Sequence, residues 1–150
     1  MKKEFHIGNR ERLYAMLPQD SLLILFAGEE LRKSADAYYP FYANRNFVYL
    51  TGIQQKQSVL VSCKASDGAV TERLYLLPKD AMAERWTGRR LDKEEAYELS
   101  GIADIRPLED LEADLQSENR GCVCLDLHKQ AEEDIDLPAH RFARRFPRCR

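Results

Sequence analysis

The sequence predicts a single α/β domain, a mixed β-sheet flanked by helices. Three observations carry that expectation. Short apolar runs that suit strands alternate along the chain with stretches at helical spacing. One run, Ser21-Leu-Leu-Ile-Leu-Phe-Ala27, is wholly apolar after its first residue, as suits a strand buried on both faces. An Asp67-Gly68 turn separates two further runs, the signature of an antiparallel hairpin. A chain of 150 residues, 44% hydrophobic and 32% charged, fits one domain with a core of its own.

The elements follow in order. Asn9 is a suitable N-cap for a first helix, with Leu13, Met16 and Leu17 on one face and Pro18 ending it. After the Ser21–Ala27 strand, Phe47-Val-Tyr-Leu-Thr51 reads as a second strand closed by Gly52. Ser58–Cys63 and Glu72–Leu77 are the third and fourth, joined through the Asp67-Gly68 turn. Asp80 is placed to cap a short helix reaching Trp86. Asp92 with Glu95 has capping-box spacing and starts a helix that ends at Ser100-Gly101. Ile105 belongs to a short strand. Leu108, Leu111 and Leu115 then recur at helical spacing on an acidic helix followed by Gly121. Cys122–Asp126 makes another strand, and Pro138–Phe146 a last amphipathic helix.

Charge and composition exclude several classes. A formal net charge of -2 and a pI near 6.0 give no reason to expect nucleic acid or a membrane surface as partner. Basic residues gather between Arg141 and Arg150 around Phe142 and Phe146, which suits a solvated helix face. The N-terminal M-K-K-E-F-H-I-G has no apolar run behind its charges, so no signal peptide is expected, and Leu22–Ala27 is too short to span a bilayer. Cys63, Cys122, Cys124 and Cys149 lack disulfide or zinc spacing. Cys122 and Cys124 share one strand face, where thiols pack well, and reduced thiols suit the cytoplasm.

Catalytic and metal-binding patterns are missing. His6, His128 and His140 lack a carboxylate or second histidine at the offsets of H-E-x-x-H, and Asp126 with His128 reads as a surface pair. There is no G-x-S-x-G, no Gly-rich phosphate loop and no C-x-x-C. By itself the segment is expected to hold no catalytic residue, no metal and no cofactor.

Two blocks carry a resemblance. Lys33 to Gly52 reads K-S-A-D-A-Y-Y-P-F-Y-A-N-R-N-F-V-Y-L-T-G, and Ala83 to Leu91 reads A-E-R-W-T-G-R-R-L. In that order they resemble the opening domain of the aminopeptidase P family, the Xaa-Pro aminopeptidases, which share an architecture with prolidase and creatinase. The resemblance implies that residues 1–150 form a non-catalytic N-terminal domain of the creatinase and aminopeptidase P type. The C-terminal pita-bread domain is absent from this chain. In the family that second domain binds two divalent cations, typically manganese, through two Asp, one His and two Glu, all expected beyond Arg150. A metal-bridging hydroxide there attacks the amide bond preceding proline.

The resemblance also implies roles for individual residues. Trp86 and Asp36 are expected to reach substrate, the indole packing against a proline ring. Tyr38, Tyr39, Phe41, Asn44, Arg45, Arg89 and Arg90 are expected at contacts with the chain's own catalytic domain or with neighbouring subunits of a homo-oligomer. Asn44, Arg45 and Asn46 form a polar corner suited to fixing a loop through backbone hydrogen bonds. The dense aromatics, including Tyr42, Phe47 and Tyr49, should divide between core and interface. Tyr42 stands where the family often has Arg, which removes an expected ion pair from this corner. Proline-containing peptides, a cytoplasmic location and no membrane follow for the parent enzyme. A stand-alone binding module, or the opening domain of a prolidase or creatinase-like hydrolase, is the alternative. The W-x-G-R-R block favours the aminopeptidase.

Overall fold

Strand β1 (Ser21–Phe26) is an interior strand of a five-stranded sheet, one place in from its edge. The computed structural model describes residues 2–118, 120–127 and 138–145. Helix α1 (Lys3–Met16) precedes β1, and a small two-stranded ribbon, β2 (Arg32–Ser34) and β3 (Ala37–Tyr38), follows it. Next come α2 (Arg45–Thr51), β4 (Val59–Lys64), β5 (Val70–Leu76), α3 (Ala81–Thr87) and α4 (Lys93–Ser100). The chain continues with β6 (Ile105–Pro107), a 3-10 turn at Leu108–Asp110, α5 (Leu111–Ser117), β7 (Cys122–Leu125) and α6 (Pro138–Arg145). The sheet order is β6-β5-β4-β1-β7; β4 is antiparallel to β1 and β5, while β1–β7 and β5–β6 are parallel. The mixed sheet expected from the apolar runs is present, and the Asp67-Gly68 hairpin joins β4 to β5 with Val59 opposite Tyr75.

Strand periodicity sorts the core into two layers. Leu23, Leu25, Leu60, Leu74 and Leu76 face Tyr14, Phe47, Leu50, Ile53, Ala96 and Ile102, which α1, α2, α4 and their loops supply. Leu22, Ile24, Val59, Val61, Cys63 and Tyr75 face the other way, under Leu108, Leu111, Leu115 and Phe142. Five of the six β1 residues are buried, as an interior strand covered on both faces requires. Cys124 packs against the first layer, and its Sγ lies 3.9 Å from that of Cys122. Burial, then the neighbouring thiol, pushes Cys124 up to about 11.

Two expectations are corrected. The first helix starts at Lys3, so Asn9 is not its cap but a buried residue of its middle. The face α1 buries is polar, with His6, Asn9 and Arg10 beside Tyr14, and an apolar count cannot find it. Phe47–Thr51 is helix rather than strand. Asn44 accepts from the N–H groups of Asn46 and Phe47, at 2.8 and 3.2 Å, and fixes the first turn of α2. Gly52 ends it at φ 74°. Phe47, Leu50 and Thr51 are then the buried positions, at helical spacing.

Those corrections are linked, because the polar face of α1 holds the end of α2. Asn9 Nδ2 donates to Tyr49 O at 3.0 Å, His6 Nδ1 lies 2.9 Å from the same oxygen, and Arg10 Nη1 donates to Leu50 O at 2.7 Å. These carbonyls belong to the last turn, which has no intrahelical donor for them. Arg10, 1% exposed, also grips the Glu72 carboxylate of β5 at 2.9 and 3.2 Å. The approach is close: a Cβ at position 52 would lie 2.7 Å from His6 Nε2. His128, and with it the expected Asp126–His128 pairing, lies outside the described residues, as do Phe146 and Cys149.

Candidate functional site

Strand registers bring the two motif blocks to one end of the sheet. Phe26, the last residue of β1, is opposite Val59, the first of β4, which is opposite Tyr75 near the end of β5. Segment 27–44 leaves from β1 at that end, and segment 77–92 leaves from β5. The loop before β4 joins them. Ala27 N–H donates to Ser58 O and Gln57 N–H to Gly28 O, both at 2.9 Å. Lys56 pairs with Glu30 at 2.6 Å on one side. On the other, the Gln55 side-chain Oε1 accepts from Leu91 N–H at 2.7 Å. Neither Gln55 nor Lys56 carries a motif signal; only the strand pairing shows that they bridge the blocks.

In the first block, Asp36 occupies the exposed turn between β2 and β3 and makes no side-chain hydrogen bond among the described residues. The turn is closed by Arg32 Nε donating to Ala35 O at 2.6 Å. Tyr38 and Tyr39 are about half exposed and Tyr42 is almost wholly so, while Phe41 turns inward against the core. Phe47 is buried, and Tyr49 packs edge-on against Phe5. The aromatics therefore divide between core and surface. Asn44 is committed to capping α2, and Asn46 Nδ2 donates to Asp126 at 2.7 Å at the end of β7. Arg45 is exposed on the first turn of α2.

The second block is built around α3. Asp80 accepts from Met82 N–H and Ala83 N–H at 2.9 and 3.1 Å, and these bonds hold its carboxyl below the usual carboxylate range. Helix α3 has no buried residue. Trp86 is 88% exposed and Met82 67% exposed, four residues apart on one side of the helix. Arg89 forms an ion pair with Glu95, and Arg90 Nη1 donates to Pro78 O at 2.6 Å, drawing the ends of the segment together. Asp92 and Glu95 complete the capping box of α4; the Asp92 N–H and then Arg89 hold Glu95 below the ordinary range. Arg89 and Arg90 thus both have partners inside the domain. Two buried donors at this junction, Gln55 Nε2 and Arg90 Nε, lack an acceptor among the described residues.

Leu31, Tyr38, Tyr39 and Tyr42 of the first segment and Met82 and Trp86 of the second are exposed apolar or aromatic side chains. Among the described residues no group of three or more His, Cys, Asp or Glu side chains is placed to hold a metal ion. The donor set for a dinuclear centre is therefore not built by them. A hollow of about 400 Å³ adjoins the same end of the sheet, lined by Phe26, Gly28, Gln57 and Phe142, and another of about 590 Å³ lies between α1, α2 and β7, with Asn46 and Tyr49 of the first block in its wall. No helix among the described residues is long and apolar enough to cross a membrane.

A five-stranded mixed sheet covered by helices on both faces, with two motif blocks displayed from one end, defines an α/β domain of the creatinase and aminopeptidase P N-terminal type. The chain belongs to the family described as "Aminopeptidase P, N-terminal domain", which matches residues 6–123. It is 36% identical over 101 residues to the Xaa-Pro aminopeptidase of Escherichia coli strain K12, covering 67% of this chain and 23% of that protein. With the Xaa-Pro aminopeptidase of Haemophilus influenzae it shares 33% identity over 115 residues, 71% of this chain and 26% of that one. Among solved structures, a candidate aminopeptidase P from Bacillus anthracis superposes with a TM-score of 0.90 at 34% identity, over 99% of this chain and 37% of its own. The E. coli aminopeptidase P with the inhibitor Pro-Leu gives 0.78 at 27% identity, over 87% and 30%. The chain thus spans about a quarter of the length of these curated relatives.

Proposed function

We propose that this chain is the N-terminal domain of a Xaa-Pro aminopeptidase, a cytoplasmic hydrolase that removes the residue preceding proline. In this reading the catalytic centre, with two divalent cations of which manganese is the expected identity, belongs to a C-terminal domain that these 150 residues do not include. The role of this domain is to cover part of the active-site entrance and to contact its own catalytic domain and neighbouring subunits of a homo-oligomer. One observation carries the reading: both motif blocks emerge from the same end of a sheet that the relatives share.

Trp86 is the side chain proposed to meet substrate. A flat indole packs against a pyrrolidine ring, and its Nε1–H keeps one donor for a peptide carbonyl. Asp36 on the β2–β3 hairpin is the proposed polar contact, accepting from a substrate or partner N–H. Tyr38, Tyr39, Phe41, Asn44, Arg45, Arg89 and Arg90 are proposed around this contact area.

The test is hydrolysis of Gly-Pro-Leu with added manganese, by this chain and by the full-length protein in parallel. Activity is expected only in the longer protein, and Trp86→Ala in that protein should lower kcat/KM with no loss of stability. Turnover by the 150-residue chain alone, or full-length activity untouched by Trp86→Ala, would overturn the assignment.

A further inference from the structure

The exposed side of α3 carries a cation as well as apolar surface. Met82, Arg85 and Trp86 lie within about 100° of the helix circumference, since successive residues turn by about 100°. All three are exposed. The neighbouring cations are occupied: Lys79 pairs with Asp92, Arg89 with Glu95, and Arg90 donates to Pro78 O. Arg85 has no ion pair among the described residues. A guanidinium fork beside an indole and a thioether is a combination with a definite complement: a carboxylate next to an apolar side chain.

We propose that Arg85 binds the C-terminal carboxylate of short peptide substrates, making α3 a reader of peptide length. This rests on the placement of Trp86 at the active-site entrance given above. A peptide that ends one residue after proline then puts its carboxylate against Arg85 while Trp86 covers the proline ring. Met82, long and unbranched, meets the side chain of the last residue. A longer or amidated peptide offers Arg85 no anion at that distance and gains only the apolar contact.

The experiment compares kcat/KM for Gly-Pro-Leu and Gly-Pro-Leu-amide using the full-length protein, with Arg85→Ala, Arg85→Lys and Trp86→Ala. The free acid is expected to be favoured about fivefold at low salt, as a partly exposed ion pair allows, through KM and with a preference that shrinks as salt rises. Arg85→Ala should bring the acid-to-amide ratio to about one, while Arg85→Lys retains part of the preference. Trp86→Ala should lower both substrates together. If Trp86→Ala weakens both but Arg85→Ala leaves the acid-to-amide ratio intact, the carboxylate assignment is wrong and the entrance reading stands. If Trp86→Ala affects neither, the entrance reading falls and this inference with it.

Discussion

Replacing Arg10 by alanine tests how the domain holds the helix behind its polar corner. The side chain is 1% exposed and makes three hydrogen bonds, two to the Glu72 carboxylate and one to Leu50 O. Removing one partner of a buried ion pair costs about 3–5 kcal/mol, because the other charge stays behind. Glu72 keeps 26% of its side-chain surface exposed, so water recovers part of that loss. Leu50 O, at the end of α2, loses its donor, a defect worth about 1–3 kcal/mol if no water replaces it. The expected total is about 3 kcal/mol, which in a domain of this size lowers the melting temperature by about 6–12 °C. Urea unfolding followed by far-UV circular dichroism measures it. Glu72→Gln, which retains an acceptor for the guanidinium, should cost only about 1 kcal/mol. If Arg10→Ala matches the parent within about 0.5 kcal/mol, Arg10 does not fasten α2 and the account of this clamp fails.

Other perturbations have separate signatures. Gly52→Ala must adopt φ 74° and set its Cβ 2.7 Å from His6 Nε2, so it should cost about 2–3 kcal/mol in thermal or urea melts. Gly68→Ala, also at positive φ but with nothing within 4 Å, should cost only about 1 kcal/mol. Asp80→Ala removes the cap of a helix that buries nothing; hydrogen exchange across Ala81–Thr87 should accelerate while the global melting temperature stays constant. The Tyr75 hydroxyl, then Arg106, hold the Asp114 carboxyl below its ordinary range. The unfolded chain therefore takes up that proton first, so stability should fall as pH drops through and below the ordinary carboxylate range, and Asp114→Asn should flatten that limb. Cys124 behaves oppositely: its thiol is pushed up to about 11, so its contribution is lost as pH rises from the ordinary thiol value toward that figure. Cys124→Ala should remove this part of the alkaline decline.

The fold was legible wherever local chemistry and tertiary context agree. The β4–β5 hairpin follows from Asp67-Gly68, and the Asp80 cap and the Asp92–Glu95 box start α3 and α4 where their spacing predicts. The errors fall where α1 meets α2. Phe-Val-Tyr-Leu-Thr has the β-branched and aromatic content of a strand, but Asn44 and Gly52 at its ends, and donors from α1, make it a helix. The start of α1 was missed because its buried face consists of side chains that bind carbonyls rather than side chains that avoid water. At the candidate site, Trp86 and Asp36 were marked by motif alone. That both motifs leave one end of the sheet depends on pairing between residues far apart in sequence, as do the bridges through Gln55 and Lys56. Arg85 lies within the second block, yet nothing in the sequence sets it apart from Arg89 and Arg90; what singles it out is the pairing of the cations around it.

That α3 buries none of its residues has an evolutionary consequence. Substitutions in a core are screened first for whether the protein still folds, and most are lost at that step. Changes at Met82, Arg85 or Trp86 meet no such screen, because their side chains support nothing beneath them. A lineage can change Met82 or Arg85 and retune what the helix recognises while the sheet below stays the same, whereas Trp86 is held by its proposed contact with substrate rather than by packing. Variation among close relatives should therefore concentrate on Met82 and Arg85 and spare both Trp86 and the Asp80 cap that keeps the helix in place.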